Sequence, residues 1–245
     1  LTAQFRLLFE DQPNFSRSAF VVSPSNAAAV DAVEAWPAWR GGALALVGPA
    51  GSGKSHLAAT WAVRAKATVI SAAVAPEDLA SLEGPVLWED ADLADHDETL
   101  FHLINIAARP GGGLLATART PPSRWRTDVP DLRSRLNALP VALLQQPDDA
   151  ILAGALLKFF QERRIRPSEE LLAYLVRRIE RSIPKALEIV AKLDETASAF
   201  GRPVSRALAR QVLENHSAPE GLEAARDGGD GHRDHGDDRD DGGDA

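Results

Sequence analysis

Eight consecutive residues, Gly48-Pro49-Ala50-Gly51-Ser52-Gly53-Lys54-Ser55, have the spacing G-x-x-x-x-G-K-[ST] of a loop that wraps a polyphosphate. The glycines let backbone N–H groups turn inward around phosphate oxygens, and a helix beginning at the loop's end adds its positive pole. Lys54 can reach the β- and γ-phosphates, the Ser55 hydroxyl can ligate Mg2+, and His56 follows at once. A second pair, Glu89-Asp90, closes the apolar run Val86-Leu87-Trp88. Acids at the carboxyl end of a parallel strand lie where open α/β sheets bind their ligands. In that setting the first acid helps hold Mg2+ and the second polarises an attacking water. Here the first is glutamate, with a longer reach than the more usual aspartate. Asp92 and Asp95 read as ordinary solvated acids beyond the strand end.

These groups need a frame, and the apolar pattern supplies one. Strand-like runs at Ala43–Val47, Thr68–Ser71, Val86–Trp88, Leu114–Thr117 and Val141–Leu144 alternate with helical stretches near Lys54–Ala65 and Thr99–Ala108. An earlier helix spans Ser25–Trp36, with Ser25 as its expected N-cap. Strands with few polar residues, separated by helices, predict an α/β fold: a parallel sheet covered on both faces. After Pro147 the period changes, and apolar stripes at helical spacing predict four helices. Asp148 and Ser168 are the expected N-caps of the first two. The chain therefore divides into a leader at 1–12, an α/β nucleotide-binding domain at 13–146 and an all-α lid domain at 147–215. A disordered acidic tail is expected at 216–245.

Composition narrows the class. The 245 residues are 44% hydrophobic and 25% charged, which suits a globular chain. Absence of cysteine excludes disulfides and thiol chemistry, and fits a reducing cytoplasm, the expected location. No apolar run approaches the ~20 residues of a membrane-spanning helix. Net charge is −8, and the eight Asp and three Arg of residues 226–245 supply −5 of it, leaving −3 elsewhere. A body of that charge predicts no strong direct binding to DNA.

The leader carries Gln4-Phe5-Arg6-Leu7-Leu8-Phe9, in which large apolar side chains stand ahead of any predicted element. Such groups need a covering surface. The spacing resembles the short bacterial peptide that docks, extended, on the replicative sliding clamp, with Gln4, Phe5, Leu7, Leu8 and Phe9 as contacts. A strand or staple against the protein's own body is the alternative.

Further stretches resemble the Hda family, AAA+ regulators similar to the replication initiator DnaA. Phe20-Val21-Val22-Ser23-Pro24-Ser25-Asn26 is similar to the family's adenine-side segment, with Val22 and Asn26 as candidate contacts. Leu115–Pro122 is similar to the sensor 1 strand and turn, and Asp131–Leu136 to the box that carries an arginine finger. The likeness covers most of residues 4–214. It implies an AAA+ P-loop sheet with a helical lid, and bound ADP or ATP with Mg2+ on Ser55 and Glu89. It further implies Asp90 as the water-polarising acid, and Arg135 as a finger acting in trans, with Arg133 as the other candidate. Partners implied are the sliding clamp and DnaA; a homodimer is possible. The activity implied is negative regulation of replication initiation, through stimulated ATP hydrolysis on DnaA by an ADP-bound regulator.

The chain departs from the family pattern at three points: Glu89, Arg119 in place of a sensor 1 Asp, and Pro184 in place of a sensor 2 Arg. Arg181 or Lys185 is the expected substitute for the last. Weak intrinsic hydrolysis follows from these departures. Rival readings are a self-sufficient AAA+ ATPase such as a helicase or clamp loader, a small-molecule kinase using the lid arginines, and an adaptor that holds nucleotide only structurally.

Overall fold

In the computed structural model, residues 20–73, 79, 82–94 and 97–216 are described. The hexapeptide at Gln4–Phe9, Asp95 and the acidic tail lie outside them. Five strands form one sheet: β1 (Ala43–Val47), β2 (Thr68–Ser71), β3 (Pro85–Glu89), β4 (Gly113–Ala118) and β5 (Val141–Leu143). Their order is β2-β3-β4-β1-β5, and every pairing is parallel. The loop-bearing strand β1 is thus interior, flanked by β4 and β5.

All five residues of β1 are buried, and their alternation explains why. Ala43, Ala45 and Val47 face one core with Trp88, Leu103, Ile106 and Leu132. Leu44 and Leu46 face the other, with Val30, Val33, Leu57 and Trp61. Side chains alternate between sheet faces, so a strand covered on both sides has no polar period. The first core is roofed by α3 (Asp97–Ala107) and α4 (Pro130–Ala138), the second by α1 (Ala27–Glu34) and α2 (Lys54–Ala65). Trp61 of α2 stacks on Trp39 at 5.2 Å and meets Trp36 edge-on at 5.9 Å. Aromatic pairs of this kind add about 0.5–1.5 kcal/mol beyond their buried area.

The lid consists of α5 (Asp149–Glu162), α6 (Glu169–Arg178), α7 (Ile183–Phe200) and α8 (Arg206–His216) around a separate core that includes Leu152, Leu156, Phe160, Leu175, Ile189 and Leu193. Both expected caps are in place. Asp148 accepts from Ile151 N at 2.8 Å and Ser168 from Leu171 N at 3.2 Å. Helix α7 has Pro184 in its first turn, where a missing N–H costs nothing, and ends at Gly201 with φ 59°.

Two expectations need correction. Ser25 does not cap α1: Asn26 takes that position, and its side chain turns back to accept from Ser23 N at 2.9 Å. Asp92 is no free solvated acid, because its Oδ2 accepts from Arg119 N and Thr120 N at 2.9 Å each, and from the Thr120 hydroxyl at 3.1 Å.

The α/β body and lid meet through a short polar junction. The Ser23 hydroxyl donates to Asp148 Oδ2 at 2.6 Å, so the cap of α5 also anchors the segment before α1. Arg181 donates to the Pro147 carbonyl and pairs with Asp149 at 2.6 Å. Burial pushes the Asp148 carboxyl up, but donors from Ser23, Ile151 N, Ser25 and Ala150 N outweigh it and hold the group below the ordinary aspartate range. A depressed acid stabilises the fold above its unfolded value, near 4, and that contribution is lost as pH falls through the folded value. Asp148→Ala is therefore expected to cost about 1 kcal/mol at pH 7. Urea denaturation should show the gap from the parent chain narrowing as pH falls below about 4.

Candidate nucleotide-binding site

The phosphate loop leaves the sheet at Val47 and enters α2 at Lys54. Its first residue is pinned across the sheet, with Gly48 N donating to the Ala118 carbonyl of β4 at 3.1 Å. A Cβ at Gly48 would lie 2.3 Å from the Leu144 carbonyl, so no larger residue fits there. Gly51 and Gly53 have φ of 72° and 95°, in the left-handed region that favours glycine. Such glycines allow a loop to turn N–H groups toward an anion, and the N-terminus of α2 begins where this loop ends.

Two observations at this loop are consistent with an anion site. The Ser52 hydroxyl is buried with no hydrogen-bond partner among the described residues. Buried polar groups are rarely left so, and a phosphate oxygen would satisfy it. Lys54 is also buried, its ammonium resting on the Pro49 carbonyl at 2.9 Å. Burial pulls this ammonium below the ordinary lysine range; Asp90 opposes that pull, Arg119 adds to it, and Asp92 opposes it in turn. A cation held where its charge is disfavoured gains most when a polyanion arrives.

The acids stand on the same sheet edge. Asp90 follows β3 with φ 52°, a conformation that aspartate tolerates better than most residues. Its N–H is held by the buried Thr117 hydroxyl at 3.0 Å. Glu89 is half-buried, and burial first, then the Asp90 charge, push its carboxyl above the ordinary glutamate range. Among the described residues no cluster of three or more His, Asp or Glu forms a self-contained metal site. Mg2+ is commonly held by one or two protein oxygens and the substrate's phosphates. Ser55, exposed on the first turn of α2, and Glu89 at the end of β3 would hold such an ion beside a bound phosphate. It would supply charge neutralisation there.

The segment before α1, the candidate base side, packs beside the loop. Phe20 packs edge-on against His56 at 5.3 Å and lies 3.6 Å from where a Cβ on Gly53 would stand. Val22 is exposed, whereas Asn26 is buried and uses both ends of its amide on the backbone, at Val21 O and Ser23 N. Asn26 thus shapes the segment, while Val22 and His56 are left as candidate contacts; Pro49 and Ala50 line the loop's outer arm.

The lid closes directly on the loop. Ile183 N donates to the Gly51 carbonyl at 3.1 Å, and a Cβ at Gly51 would meet the Ser182 hydroxyl at 2.4 Å. Ser182 escaped the sequence reading because its partner is 131 positions away with no local period to mark it. The expected substitutes for a sensor 2 arginine are both engaged elsewhere. Arg181 is paired with Asp149, and Lys185 with Glu188 at 2.8 Å.

The two candidate fingers separate by their partners. Arg133 donates to the carbonyls of Ser123 and Trp125, at 3.1 and 2.7 Å, and so anchors the turn that follows β4. Arg135 is on the surface, braced by Asp131 at 3.0 Å and Asn105 at 3.1 Å, with its guanidinium 4.7 Å over the Phe101 ring.

No protein-family model and no curated protein matches the sequence. Solved structures do match in fold. Domain III of the Thermotoga maritima replication initiation protein DnaA superposes with TM-score 0.66 at 19% identity, covering 83% of this chain and 97% of that one. A replication initiator DnaA bound to AMPPCP and single-stranded DNA gives 0.58 at 17%, covering 83% and 69%. The Thermotoga maritima RuvB Holliday junction branch migration motor gives 0.56 at 18%, covering 70% of this chain and 61% of its own. The chain thus spans less than two thirds of RuvB. Its fold is the AAA+ P-loop fold. Among the described residues no helix is long and apolar enough to cross a membrane.

Lys54→Met supplies a sharp test. A buried lysine with a lowered value weakens the fold wherever it is charged, an effect that fades as pH rises towards the free lysine range. At pH 7 the variant should melt above the parent chain when nucleotide is absent, yet gain nothing from added nucleotide. A nucleotide-dependent rise in Tm that survives the substitution removes Lys54 from the site.

Proposed function

We propose that the chain is an adenine-nucleotide-bound AAA+ regulator that drives ATP hydrolysis on the initiator DnaA while tethered to the sliding clamp. The observation that carries this reading is the coincidence of a DnaA-like fold with an arginine braced on the surface of α4. A guanidinium held by Asp131, Asn105 and Phe101 has lost much of its rotamer freedom before it meets a partner. Delivered to a neighbour's triphosphate, such a group stabilises transition-state charge and contributes on the order of 10³–10⁵ in rate.

In this reading the nucleotide in Gly48–Ser55 is structural. It neutralises Lys54, satisfies Ser52 and holds the lid against Gly51, so that α4 is presented in one orientation. Weak intrinsic turnover follows from Glu89 in place of the more usual aspartate, and from Pro184, which brings no cation to the phosphates. Gln4–Phe9 supplies the tether, placing the regulator on DNA-loaded clamps. Replication would thereby be restrained after it has begun.

A self-sufficient AAA+ ATPase is the second reading, and the likeness in fold to RuvB favours it. It requires rapid hydrolysis by this chain alone, against the chemistry at Glu89 and Pro184.

Arg135→Ala should retain nucleotide and clamp binding but reduce stimulated hydrolysis on DnaA by at least 10³-fold, measured as phosphate release from ATP-loaded DnaA with DNA-loaded clamp. Full stimulation by the variant refutes the finger. Changing both Gln4 and Phe9 to Ala should abolish clamp capture in surface plasmon resonance while leaving Tm unchanged; retained capture refutes the tether.

A further inference from the structure

Val22, the exposed candidate contact on the base side, stands between two residues that the lid holds. Val21, half-buried, lies against Gly154 in the middle of α5, where a Cβ would come within 2.8 Å of its side chain. Ser23 is buried, and its hydroxyl donates to Asp148 Oδ2 at 2.6 Å. Asp148 divides its two oxygens between tasks. Oδ1 caps α5 at Ile151 N, and Oδ2 is left for Ser23. A hydroxyl bonded to a carboxylate is about twice as strong as a neutral pair.

The segment's remaining polar bonds shape it without placing it. Asn26 ties Val21 O to Ser23 N, and the Ser23 hydroxyl also accepts from Ser25 N at 3.2 Å. Toward the body, Phe20 meets His56 edge-on. The lid touches the phosphate loop at a second point, where Ile183 N donates to the Gly51 carbonyl at 3.1 Å. Helices α5 and α7, which supply these two contacts, share one apolar core. The lid therefore spans from the loop to the segment, and its own packing helps to set how far Val22 stands from Gly51.

We propose that Ser23 is a positioning residue for the nucleoside end of the ligand, acting through Asp148 and Val22. Affinity for an adenosine phosphate then depends on this hydroxyl, whereas affinity for bare polyphosphate does not. The proposal rests on the nucleotide reading of Gly48–Ser55 and of the segment before α1, and deepens it. Phosphates are gripped by the loop alone. The base is gripped by a segment that the lid holds in register, with no lid side chain required to touch it.

Isothermal titration of the full chain with ADP and with inorganic pyrophosphate, each with Mg2+, tests this. Ser23→Ala should lose about 10-fold in ADP affinity and keep its pyrophosphate affinity within about threefold. Ser23→Thr, which retains a hydroxyl, should recover part of the loss. Gly154→Ala removes no polar group, yet by displacing Val21 it should weaken ADP and spare pyrophosphate in the same way. Retained pyrophosphate binding also reports that each variant keeps a folded loop. An unchanged ADP affinity in Ser23→Ala, or an equal loss for both ligands, overturns the role of Ser23 and leaves the loop assignment standing. A parent chain that takes ADP no more tightly than pyrophosphate overturns the base side together with the proposal. One that takes neither overturns the loop assignment as well.

Discussion

The bond from Gly48 N to the Ala118 carbonyl fixes where the phosphate loop leaves the sheet, and most of the site is placed by it. It ties the loop on β1 to the neighbouring strand β4. Thr117, one residue back on that strand, holds Asp90, and Arg119, one residue ahead, is held by Asp92. Loop, acids and arginine are therefore spaced by the 4.7–4.9 Å separation of strands, and not by flexible chain. The two apolar cores keep those strands in register. A site built this way needs no large buried network to be rigid.

Rigidity here includes groups that do not help the nucleotide-free fold. Lys54 is buried with only a carbonyl to meet it, Ser52 has an unmatched hydroxyl, and Asp90 adopts a left-handed backbone. Each opposes folding by an amount on the order of 1–3 kcal/mol for a left-handed residue or an unmatched polar group. Gathered at one edge of the sheet, at the start of α2 and the end of β3, they stand where an anionic ligand would return stability. The lid core, the β1 alternation and the tryptophan stack bear the burden of holding the fold meanwhile.

Local chemistry was legible in the sequence wherever a short period or spacing encodes it. The strands, the first three helices and the caps at Asp148 and Ser168 stand within about two residues of their expected places, and four lid helices form over the expected apolar stripes. What escaped depends on pairs distant in sequence. Asp92 meets Arg119 and Thr120 across 27 and 28 positions, and Ser23 meets Asp148 across 125. A carboxylate three residues beyond a strand looks solvated until the next strand's turn is laid beside it. Ser25 was misread because Asn26 competes for the same role and wins by bonding Ser23. The separate fates of Arg133 and Arg135 were likewise invisible, since both stand on one helix with similar neighbours. Only the fold shows that one is tied to backbone carbonyls and the other to surface side chains.

Gly154 sits in the middle of α5, where a Cβ would lie 2.8 Å from Val21. The segment that would flank a purine is thus seated in a notch on the lid, although it belongs to the other half of the molecule. A lid grafted from a related protein would need the same notch. With alanine or anything larger there, the foreign helix would displace Val21 and the loop edge beside it. Compatibility between interchangeable halves of such chains is therefore set by a missing methyl group as much as by any contact that is made.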